Sequence, residues 1–286
     1  MYISRFFMSL VILVLLGCGS ESDDEYTEAL AINNPMVVGI AYDESSIEES
    51  KNYDDVEQLR NRYAKGDLLA GYFLAIALIQ GYNIEKDQEK GASLLEETWS
   101  KGLVDSGFSL YTLYYHGIGV DENKDKALSY LKRSAELGYM PSQRKLGMLY
   151  YDNDDFLEGN PELAFKWLVK AAENGDKLSA LNIAGMYRQG HGVRKDAKQA
   201  FEWLSKIKDK KYGGKTIGFA ALGHYYEDGI GTEKNLVLAY KYYDLLRPGM
   251  DEDKARVASK MSKEQIQEGK KLSRAWQNSN KIHVIE

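Results

Sequence analysis

Cysteine, histidine and proline are all scarce in this chain, and each scarcity excludes a class of site or structure. The single cysteine, Cys18, excludes internal disulfides and zinc sites built from several cysteines. The four histidines do not occur in HxxxH or HExxH spacing, so the sequence predicts no metal site. Four prolines among 286 residues argue against a long disordered tail.

The motifs of enzymes and cofactor-binding proteins are missing as well. Gly117-Ile118-Gly119 and Gly190-His191-Gly192 follow helices rather than strands and lack a third glycine, so they predict turns and not phosphate loops. No GxSxG motif is present. The SxxK spacings lack the SDN and KTG motifs that accompany SxxK in a β-lactamase-like site. We therefore predict no catalytic residues, no cofactor and no enzymatic activity.

Charge is small in total but unevenly placed. The net charge of −6 disfavours nucleic acid as the main partner. Residues 18–55 contain 11 acidic residues and one base, Lys51, for a net charge of −10, whereas residues 56–286 are mildly basic. We predict an acidic tether over 18–55 that charge repulsion keeps extended. Within it, the apolar patch Met36–Tyr42 is predicted to dock on the rest of the chain as a short strand or turn.

The stretch from Ala180 to Lys206 predicts one helix, a glycine loop and a second helix. Ala184 and Tyr187 share a helix face, and Gly190 permits the positive φ at which the first helix ends. Ala200 and Trp203 mark the apolar face of the second helix.

This unit recurs along the chain, which predicts stacked helical hairpins. The position of Ala184 recurs at Ala75, Tyr111, Gly147 and Gly223, at steps of 36 to 39 residues. Three further columns keep the same register. They are the Ala200 column (Gly91, Ala127, Ala164, Ala239), the Trp203 column (Leu94, Tyr130, Trp167, Tyr242) and the predicted N-caps (Asp87, Asn123, Asn160, Asp196, Asn235). Predicted C-cap glycines follow the second helices at Gly66, Gly102, Gly138 and Gly175.

Several of these segments resemble Sel-one-like repeats, a family related to the tetratricopeptide repeats. They are LGMLY (Leu146–Tyr150), MYRQGHGV (Met186–Val193), YYHGIGV (Tyr114–Val120), YYEDGIGT (Tyr225–Thr232) and KWLVKAAENGD (Lys166–Asp176). The resemblance implies an all-α fold over 56–286. That fold is a right-handed α-solenoid of about five helix-turn-helix repeats with capping helices at both ends. It also implies a protein-binding adaptor without catalytic residues. The third repeat departs in its loop, with Asn153 in place of glycine and one extra residue before Asn160.

The N-terminus predicts export and lipidation. The apolar core Leu10–Leu16 is too short to span a bilayer and is typical of a secretory signal, which we place at 1–17. Leu15-Leu16-Gly17-Cys18 resembles the bacterial lipobox, which implies that Cys18 carries the lipid. Gly19, in place of Asp, favours the outer membrane by the same resemblance. The alternative is an ordinary signal peptide with an incidental cysteine.

Positions −3, +1 and +4 relative to the Ala184 column lie on one face of each first helix, and we call them the first-helix stripe. If first helices line the concave side, as in related solenoids, this stripe is the protein-binding groove. The candidate residues are Tyr72, Ile76, Phe108, Tyr115, Arg144, Met148, Tyr151, Arg188, His224 and Glu227. The alternative is that they pack against the neighbouring first helix.

These features together predict a periplasmic scaffold, held at the membrane by a lipid, that binds another protein. Its specific form is an immunity protein that neutralises a toxin or effector. The alternatives are an envelope-assembly adaptor or, with less support from the motifs, an enzyme or a small-molecule-binding lipoprotein.

Overall fold

The computed structural model describes residues 56–152, 156–209, 213–246 and 249–280, and the regular elements in these ranges are helices. The signal segment, Cys18, the acidic tether and the patch Met36–Tyr42 lie outside the described residues. The helices are α1 (Val56–Ala64), α2 (Leu68–Gln80), α3 (Gln88–Ser100), α4 (Asp105–His116), α5 (Lys124–Glu136), α6 (Met140–Asp152), α7 (Pro161–Glu173), α8 (Lys177–Gln189), α9 (Ala197–Ser205), α10 (Phe219–Asp228), α11 (Leu236–Asp244), α12 (Asp251–Ala258) and α13 (Lys263–Asn280). A short 3₁₀ turn spans Ile207–Asp209.

In chain order the helices follow one another as five successive pairs that match the predicted repeats: α2/α3, α4/α5, α6/α7, α8/α9 and α10/α11. Helix α1 precedes the first pair, and α12 and α13 follow the last. The prediction of an all-α fold with additional helices at both ends is therefore confirmed for the described part of the chain.

Local sequence explains where each helix of a pair begins and ends. Four of the first helices, α2, α4, α8 and α10, end at a glycine in the left-handed region, as at Gly190, where φ is 76° and the N–H donates to the carbonyl of Met186. Second helices begin at an Asx side chain that accepts the amide of the residue three positions on. This bond is 2.9–3.0 Å long at Asp87, Asn123, Asn160 and Asn235. The capping predictions are confirmed at these positions.

The core follows two columns of the second helices. The predicted Ala200 column is buried throughout, and so is a column of larger residues: Leu95, Leu131, Leu168, Leu204 and Tyr243. The neighbouring Trp203 column is only half-buried, and Lys170 Nζ lies 4.0 Å from the centroid of the Trp167 ring. The tryptophan column packs against the edge of this core, as Leu94, Tyr130 and Trp167 show, whereas the adjacent column, about 100° further round the helix, is buried within it.

The second glycine of each GxG loop allows a close approach between successive repeats. A Cβ at Gly192, where φ is 67°, would collide with the carbonyl group of Pro161 in the preceding second helix. The same collision recurs in two other loops, between Gly119 and Gln88 and between Gly231 and Ala197. This glycine therefore packs one repeat against the backbone of the one before it.

The described residues fall into two compact units. One comprises 56–196 with 206–209 and 213, and the other comprises 197–205 with 214–280. None of the described helices is both long enough and apolar enough to span a membrane.

Candidate protein-binding surface

The first-helix stripe lies at a seam between consecutive first helices. The hydroxyls of Tyr72 in α2 and Ser109 in α4 share a hydrogen bond of 3.0 Å. Two repeats further along the chain, Asn182 Nδ2 in α8 donates to Met148 Sδ in α6 at 3.2 Å. Tyr72 and Met148 occupy stripe positions −3 and +1, whereas Ser109 and Asn182 both occupy position −2 of the following first helix. Two stripe positions thus face the next repeat rather than open solvent.

Three further stripe residues, Phe108, Tyr115 and Tyr151, also contact the next repeat. Position −3 reaches the start of the next first helix, with the Phe108 and Tyr139 ring centroids 6.3 Å apart. Position +4 reaches the loop of the next repeat. The Tyr115 and Phe156 centroids are 4.8 Å apart, and those of Tyr151 and His191 are 5.0 Å apart. The packing alternative therefore applies to these residues in part.

Two residues of the stripe are core residues. Tyr72 is 0% exposed and Ile76 is 3% exposed, so the prediction that they line an open face is wrong. Burial raises the pKa of the Tyr72 hydroxyl well above its usual value, because the phenolate would lose its hydration. The physical reason for the correction is that α2 is apolar on every side and buries all residues from Ala70 to Ile79.

Arg144 connects two repeats. Its Nη1 lies 3.1 Å from Oδ1 of Asp176, a buried carboxylate at the N-terminus of α8. The other oxygen of Asp176 accepts from the backbone N–H of Ser179 at 2.8 Å and from its hydroxyl at 2.6 Å. A helix N-terminus favours a carboxylate, and removing either charge would leave the other buried without its partner. Arg144 therefore has a structural role. Its side chain is only 11% exposed, so little of it is accessible to a binding partner.

Glu227 is also a structural residue. It is 4% exposed, and its carboxylate accepts from Arg256 Nε and Nη2 at 3.0 and 2.7 Å, from Lys260 Nζ at 3.1 Å and from the Tyr243 hydroxyl at 3.1 Å. The prediction that it lies on an exposed face is wrong, because α12 and the residues that follow it place two cations over it. The Arg256 guanidinium, with Lys260 and Tyr243, lowers the pKa of Glu227 to about 2 against the burial that would raise it.

This cluster predicts a pH-dependent stability. Folding lowers the pKa of Glu227 from its ordinary value of 4.5, which holds in the unfolded chain, to about 2. The carboxylate therefore contributes its full stabilisation above about pH 4.5, and this stabilisation is lost as the pH falls towards 2. The shift corresponds to about 2–3 kcal/mol, since each pKa unit is about 1.4 kcal/mol and the partner cations are half-exposed. We expect Glu227→Gln to lower the free energy of unfolding by that amount at pH 7 and by much less at pH 2.

Urea titrations at both pH values measure this effect, and Glu233→Gln, an exposed carboxyl in the same unit, is the matched control. Equal losses for Glu227→Gln at pH 7 and pH 2 would show that the carboxylate charge contributes nothing.

Besides Arg144, six of the ten candidate residues keep accessible surface. Phe108, Tyr115, Met148 and Tyr151 are half-buried, and Arg188 and His224 are exposed. Two rings at the C-terminal ends of α4 and α6 each form an edge-to-face pair with a ring from the loop of the next repeat, Tyr115 with Phe156 and Tyr151 with His191. We call Tyr115, Phe156, Tyr151 and His191 the aromatic edge.

Phe156 was absent from the sequence prediction of the site. It comes from the longer loop of the third repeat, and its ring also lies 6.3 Å from that of Tyr111. The extra residue before Asn160 was the signal that this loop differs, but its length alone does not reveal where a side chain packs.

Basic groups lie beside the aromatic edge. Lys124 Nζ is 5.9 Å from the centroid of the Tyr115 ring, and the His116 ring is 4.8 Å from it. Burial and the neighbouring Lys145 ammonium lower the pKa of the His116 imidazole below its usual value. Partly exposed aromatic rings are typical of protein interfaces.

One polar cluster elsewhere resembles a catalytic arrangement but is a structural contact. Glu96 Oε1 accepts from the Tyr114 hydroxyl at 2.6 Å and from Lys126 Nζ at 2.9 Å, joining α3 to α4 and α5. Burial raises the pKa of Glu96, but these hydrogen bonds outweigh it and the net shift is downward. Within the described ranges no group of three or more His, Cys, Asp or Glu side chains is placed to hold a metal ion.

Comparison with known proteins bears on the whole array. The Sel1 repeat profile matches residues 69–98, 109–139, 141–176, 178–212 and 220–245, which is more than half of the chain. These five segments coincide with the five helix pairs, including the divergent first and third repeats.

Two proteins of Saccharomyces cerevisiae are similar over part of the chain. Activator of C kinase protein 1 is 36% identical over 93 residues, which are 30% of this chain and 15% of that protein. Chitin synthase regulator SKT5 is 26% identical over 106 residues, 36% of this chain and 14% of that protein. The matched region thus spans about a seventh of the length of either relative.

A solved structure shows the same fold. The Sel1 repeat protein from Oxalobacter formigenes superposes with a TM-score of 0.60 at 23% identity, covering 69% of this chain and 81% of that one. Together with the repeated helix pairs, this similarity confirms the fold class as an all-α solenoid.

Proposed function

The chain belongs to the Sel1 repeat family, and from that premise we propose that it is a lipid-anchored scaffold that binds another protein in the bacterial periplasm. Repeat proteins of this kind present extended surfaces built from equivalent positions of successive units, and such surfaces suit protein partners. The accessible stripe residues and the aromatic edge are the observation that carries the proposal.

The partner-binding surface in this proposal comprises Phe108, the aromatic edge, Met148 and Arg188, with His224 as a further candidate in the second compact unit. Tyr151 and Arg188 are the preferred anchors. The Tyr151 ring is half-buried, with the centroid of the His191 ring 5.0 Å away, and Arg188 is exposed. Aromatic and arginine side chains with one face against the scaffold and the other open are the residue types that dominate binding energy at interfaces.

The anchor in this proposal is a lipid on Cys18. The segment before it is typical of a signal peptide, Leu15-Leu16-Gly17-Cys18 resembles a lipobox, and the chain has no other thiol. Several acyl chains on one residue give stable attachment, whereas a single chain binds only marginally. Gly19 favours the outer membrane.

An immunity protein that occupies a toxin or effector is our preferred specific form. Such a protein needs only a binding surface held at the membrane, and the accessible stripe residues together with the lipobox-like segment before Cys18 support this form. The two yeast relatives are an activator of a kinase and a regulator of a synthase, which favours an enzyme as the bound partner in a second form, the envelope-assembly adaptor. An enzyme or small-molecule-binding role has no motif in its support.

The binding surface is tested by single truncations. We expect Tyr151→Ala and Arg188→Ala each to weaken partner binding about ten- to thirty-fold, the usual cost of losing an aromatic or arginine anchor. Their melting temperatures should stay within about 2 °C of wild type, since each side chain is at least partly exposed.

The partner is first captured from envelope extracts with the wild-type protein, and its affinity for each variant is then measured by titration calorimetry. Lys166→Ala, an exposed truncation on the second helix α7, is the matched control. Normal binding by both stripe variants would move the site to the second helices or the acidic segment.

The anchor is tested at Cys18. We expect Cys18→Ser to abolish palmitate labelling and to leave an unprocessed or soluble protein, because the serine hydroxyl does not replace the thiolate as acceptor of the diacylglyceryl group. Fractionation and labelling of cells that express both forms measure the result. Labelling that persists in Cys18→Ser would place the lipid elsewhere, and partner binding in solution is unaffected by either outcome.

A further inference from the structure

We infer that the fifth repeat carries a binding site for an acidic side chain of a partner protein, formed by the hydroxyls of Tyr226 and Tyr242 and the ammonium of Lys241. The three groups belong to one compact unit, and none of them lies on the first-helix stripe. The site is therefore separate from the binding surface proposed above. Only the assignment of its ligand to a protein rests on the proposed function.

The second repeat binds a carboxylate of its own with the same kinds of groups. The rings of Tyr114 in α4 and Tyr130 in α5 are stacked, with centroids 5.7 Å apart and an interplanar angle of 17°. Both hydroxyls donate to one oxygen, Glu96 Oε1, at 2.6 and 3.3 Å, and Lys126 Nζ donates to the same oxygen at 2.9 Å. Two tyrosine hydroxyls and an ammonium are thus a donor set that holds a carboxylate in this fold.

The fifth repeat has the same pair of tyrosines. Tyr226 and Tyr242 stand 112 residues after Tyr114 and Tyr130, and their rings are stacked with centroids 6.0 Å apart and an interplanar angle of 6°. Burial and the neighbouring Tyr226 hydroxyl raise the pKa of Tyr242 to about 12, so the two hydroxyls lie near each other. Leucine or tryptophan takes the Tyr130 position in the other three repeats, so this pair is confined to the second and fifth.

Helix α9 meets the fifth repeat in the register in which α3 meets the second. A Cβ at Gly231 would collide with the carbonyl of Ala197, and one at Gly119 would collide with that of Gln88. Gly231 and Gly119 occupy the same column, as do Ala197 and Gln88. The helix that supplies Glu96 to the second repeat therefore has a counterpart at the equivalent place beside the fifth.

This counterpart does not supply an acid. Glu96 and Ser205 each stand five residues after the Ala200-column residue of their helix, so serine takes the place of the carboxylate. The Ser205 hydroxyl donates to the carbonyl of Glu202 at 2.9 Å, and the Glu202 carboxylate accepts from Gln199 at 3.0 Å. Within the described ranges neither tyrosine hydroxyl of the fifth repeat has a hydrogen-bond partner, and neither is fully buried. Both are therefore available to a carboxylate of another molecule.

Lys241 supplies the positive charge. Its Nζ lies 4.8 Å from the centroid of the Tyr242 ring. It stands three residues after Leu238, which takes the place of Lys126, so the ammonium is one turn further along the same helix face. Lys241 is half-buried, and burial lowers its pKa without an acid in the described part of the chain to offset the effect. A half-buried cation without an acid beside it favours an anionic ligand.

The surroundings of these donors favour a glutamate over an inorganic anion. Leu238 replaces a lysine, and Phe201 takes the position of Ala92, with its ring centroid 5.3 Å from that of Tyr226. Both changes make the site more apolar than the one in the second repeat. The methylene groups of a glutamate would be buried against this surface while its carboxylate meets the three donors.

The phenylalanine variants test whether the tyrosine hydroxyls are free. We expect the Tyr226→Phe/Tyr242→Phe protein to melt within about 2 °C of wild type, because no internal hydrogen bond is lost. Tyr114→Phe, the matched variant of the second repeat, should melt earlier, because it removes a donor from the Glu96 carboxylate. A double variant that melts as early as Tyr114→Phe would show that the hydroxyls have internal partners and would overturn the inference.

An acid placed at Ser205 tests the donor set from within. We expect Ser205→Glu to melt about 2–4 °C above Ser205→Gln when Tyr226 and Tyr242 are present, because both hydroxyls can donate to the new carboxylate. This advantage should disappear when both tyrosines are phenylalanine. Comparing the four proteins cancels the effect of a charge at the end of α9. An equal difference in the two backgrounds contradicts the proposed site.

An acidic probe tests recognition of another molecule. Fluorescein-labelled hexaglutamate and hexaglutamine are titrated at one salt concentration, and anisotropy reports binding. We expect hexaglutamate to bind wild type about tenfold more tightly than hexaglutamine. Its affinity should fall about tenfold in Tyr226→Phe/Tyr242→Phe, in Lys241→Gln and in Ser205→Glu, whose own carboxylate occupies the donors. Lys263→Gln, the loss of an exposed lysine in the same unit, is the matched control and should bind like wild type.

Two results of the titration would overturn the inference. One is the absence of hexaglutamate binding to wild type. The other is an affinity that the two phenylalanine substitutions leave unchanged, since general charge attraction does not depend on the hydroxyls. The first-helix stripe is tested separately, because Tyr151 and Arg188 lie in the other compact unit and their variants are measured against the captured partner.

Discussion

Leu168→Ala is expected to lower the free energy of unfolding by about 3–5 kcal/mol, the upper part of the range for buried leucines. Leu168 is fully buried in the middle of the core column of the second helices, and its side chain packs against the backbone at Gly147. Because Gly147 has no side chain that could move into the space, the cavity would remain. The melting temperature should fall by about 10 °C.

The matched control is Leu137→Ala, since Leu137 is 48% exposed after the end of α5. We expect it to change stability by no more than about 0.5 kcal/mol. Amide exchange gives a second measurement, because repeats stabilise their neighbours and the loss of protection should extend from α6 and α7 into α4, α5 and α8. A loss confined to α7, or a Leu168→Ala protein that melts like the control, would show that this column does not hold the repeats together.

Gly192→Ala is expected to cost about 2–4 kcal/mol, although it adds a single methyl group. Two penalties combine. Gly192 has a φ of 67°, which costs a residue with a Cβ about 1–2 kcal/mol, and the methyl group would overlap the carbonyl of Pro161 in the preceding repeat. Backbone at both sides of the collision leaves no flexible side chain to move aside.

Gly185→Ala provides the contrasting control. Gly185 lies within α8, and a Cβ there meets nothing within 4 Å. Alanine in a helix interior is favoured over glycine by about 0.5–1 kcal/mol, so this variant should be slightly more stable than wild type. Chemical denaturation of the two variants measures the contrast. If both glycines tolerated alanine equally, the close approach of the loop to Pro161 would not contribute to stability.

Local sequence by itself determined the helix pairs and their boundaries. Gly190 ends α8 because the left-handed region favours a residue without a Cβ, and Asn160 starts α7 because its side chain accepts the amide of Leu163. Both effects act within a few residues, so spacing along the chain is enough to predict them. The period of 36 to 39 residues then determined that the pairs stack, since a single hairpin cannot bury its own apolar face.

Tertiary structure alone decided which helix faces meet. Trp167 and Leu168 are neighbours in sequence, and both are plausible core residues by type, but only the packing of α6 on α7 selects Leu168. By helix spacing alone, the first-helix stripe is one face of each first helix. The angle between successive helices decides that this face turns towards the next repeat. As a result Tyr72 and Ile76 are buried, while Tyr151 stays partly open.

Residues outside the repeat period were the least predictable. Glu227 looked like an exposed stripe residue because the period carries no information about Arg256 and Lys260, which come from a later, non-repeating segment. Phe156 was missed for the related reason that its loop breaks the period. A repeat pattern specifies contacts between equivalent positions at one fixed sequence separation. Contacts at any other separation are set by where the chain goes in space, and only the folded structure contains that information.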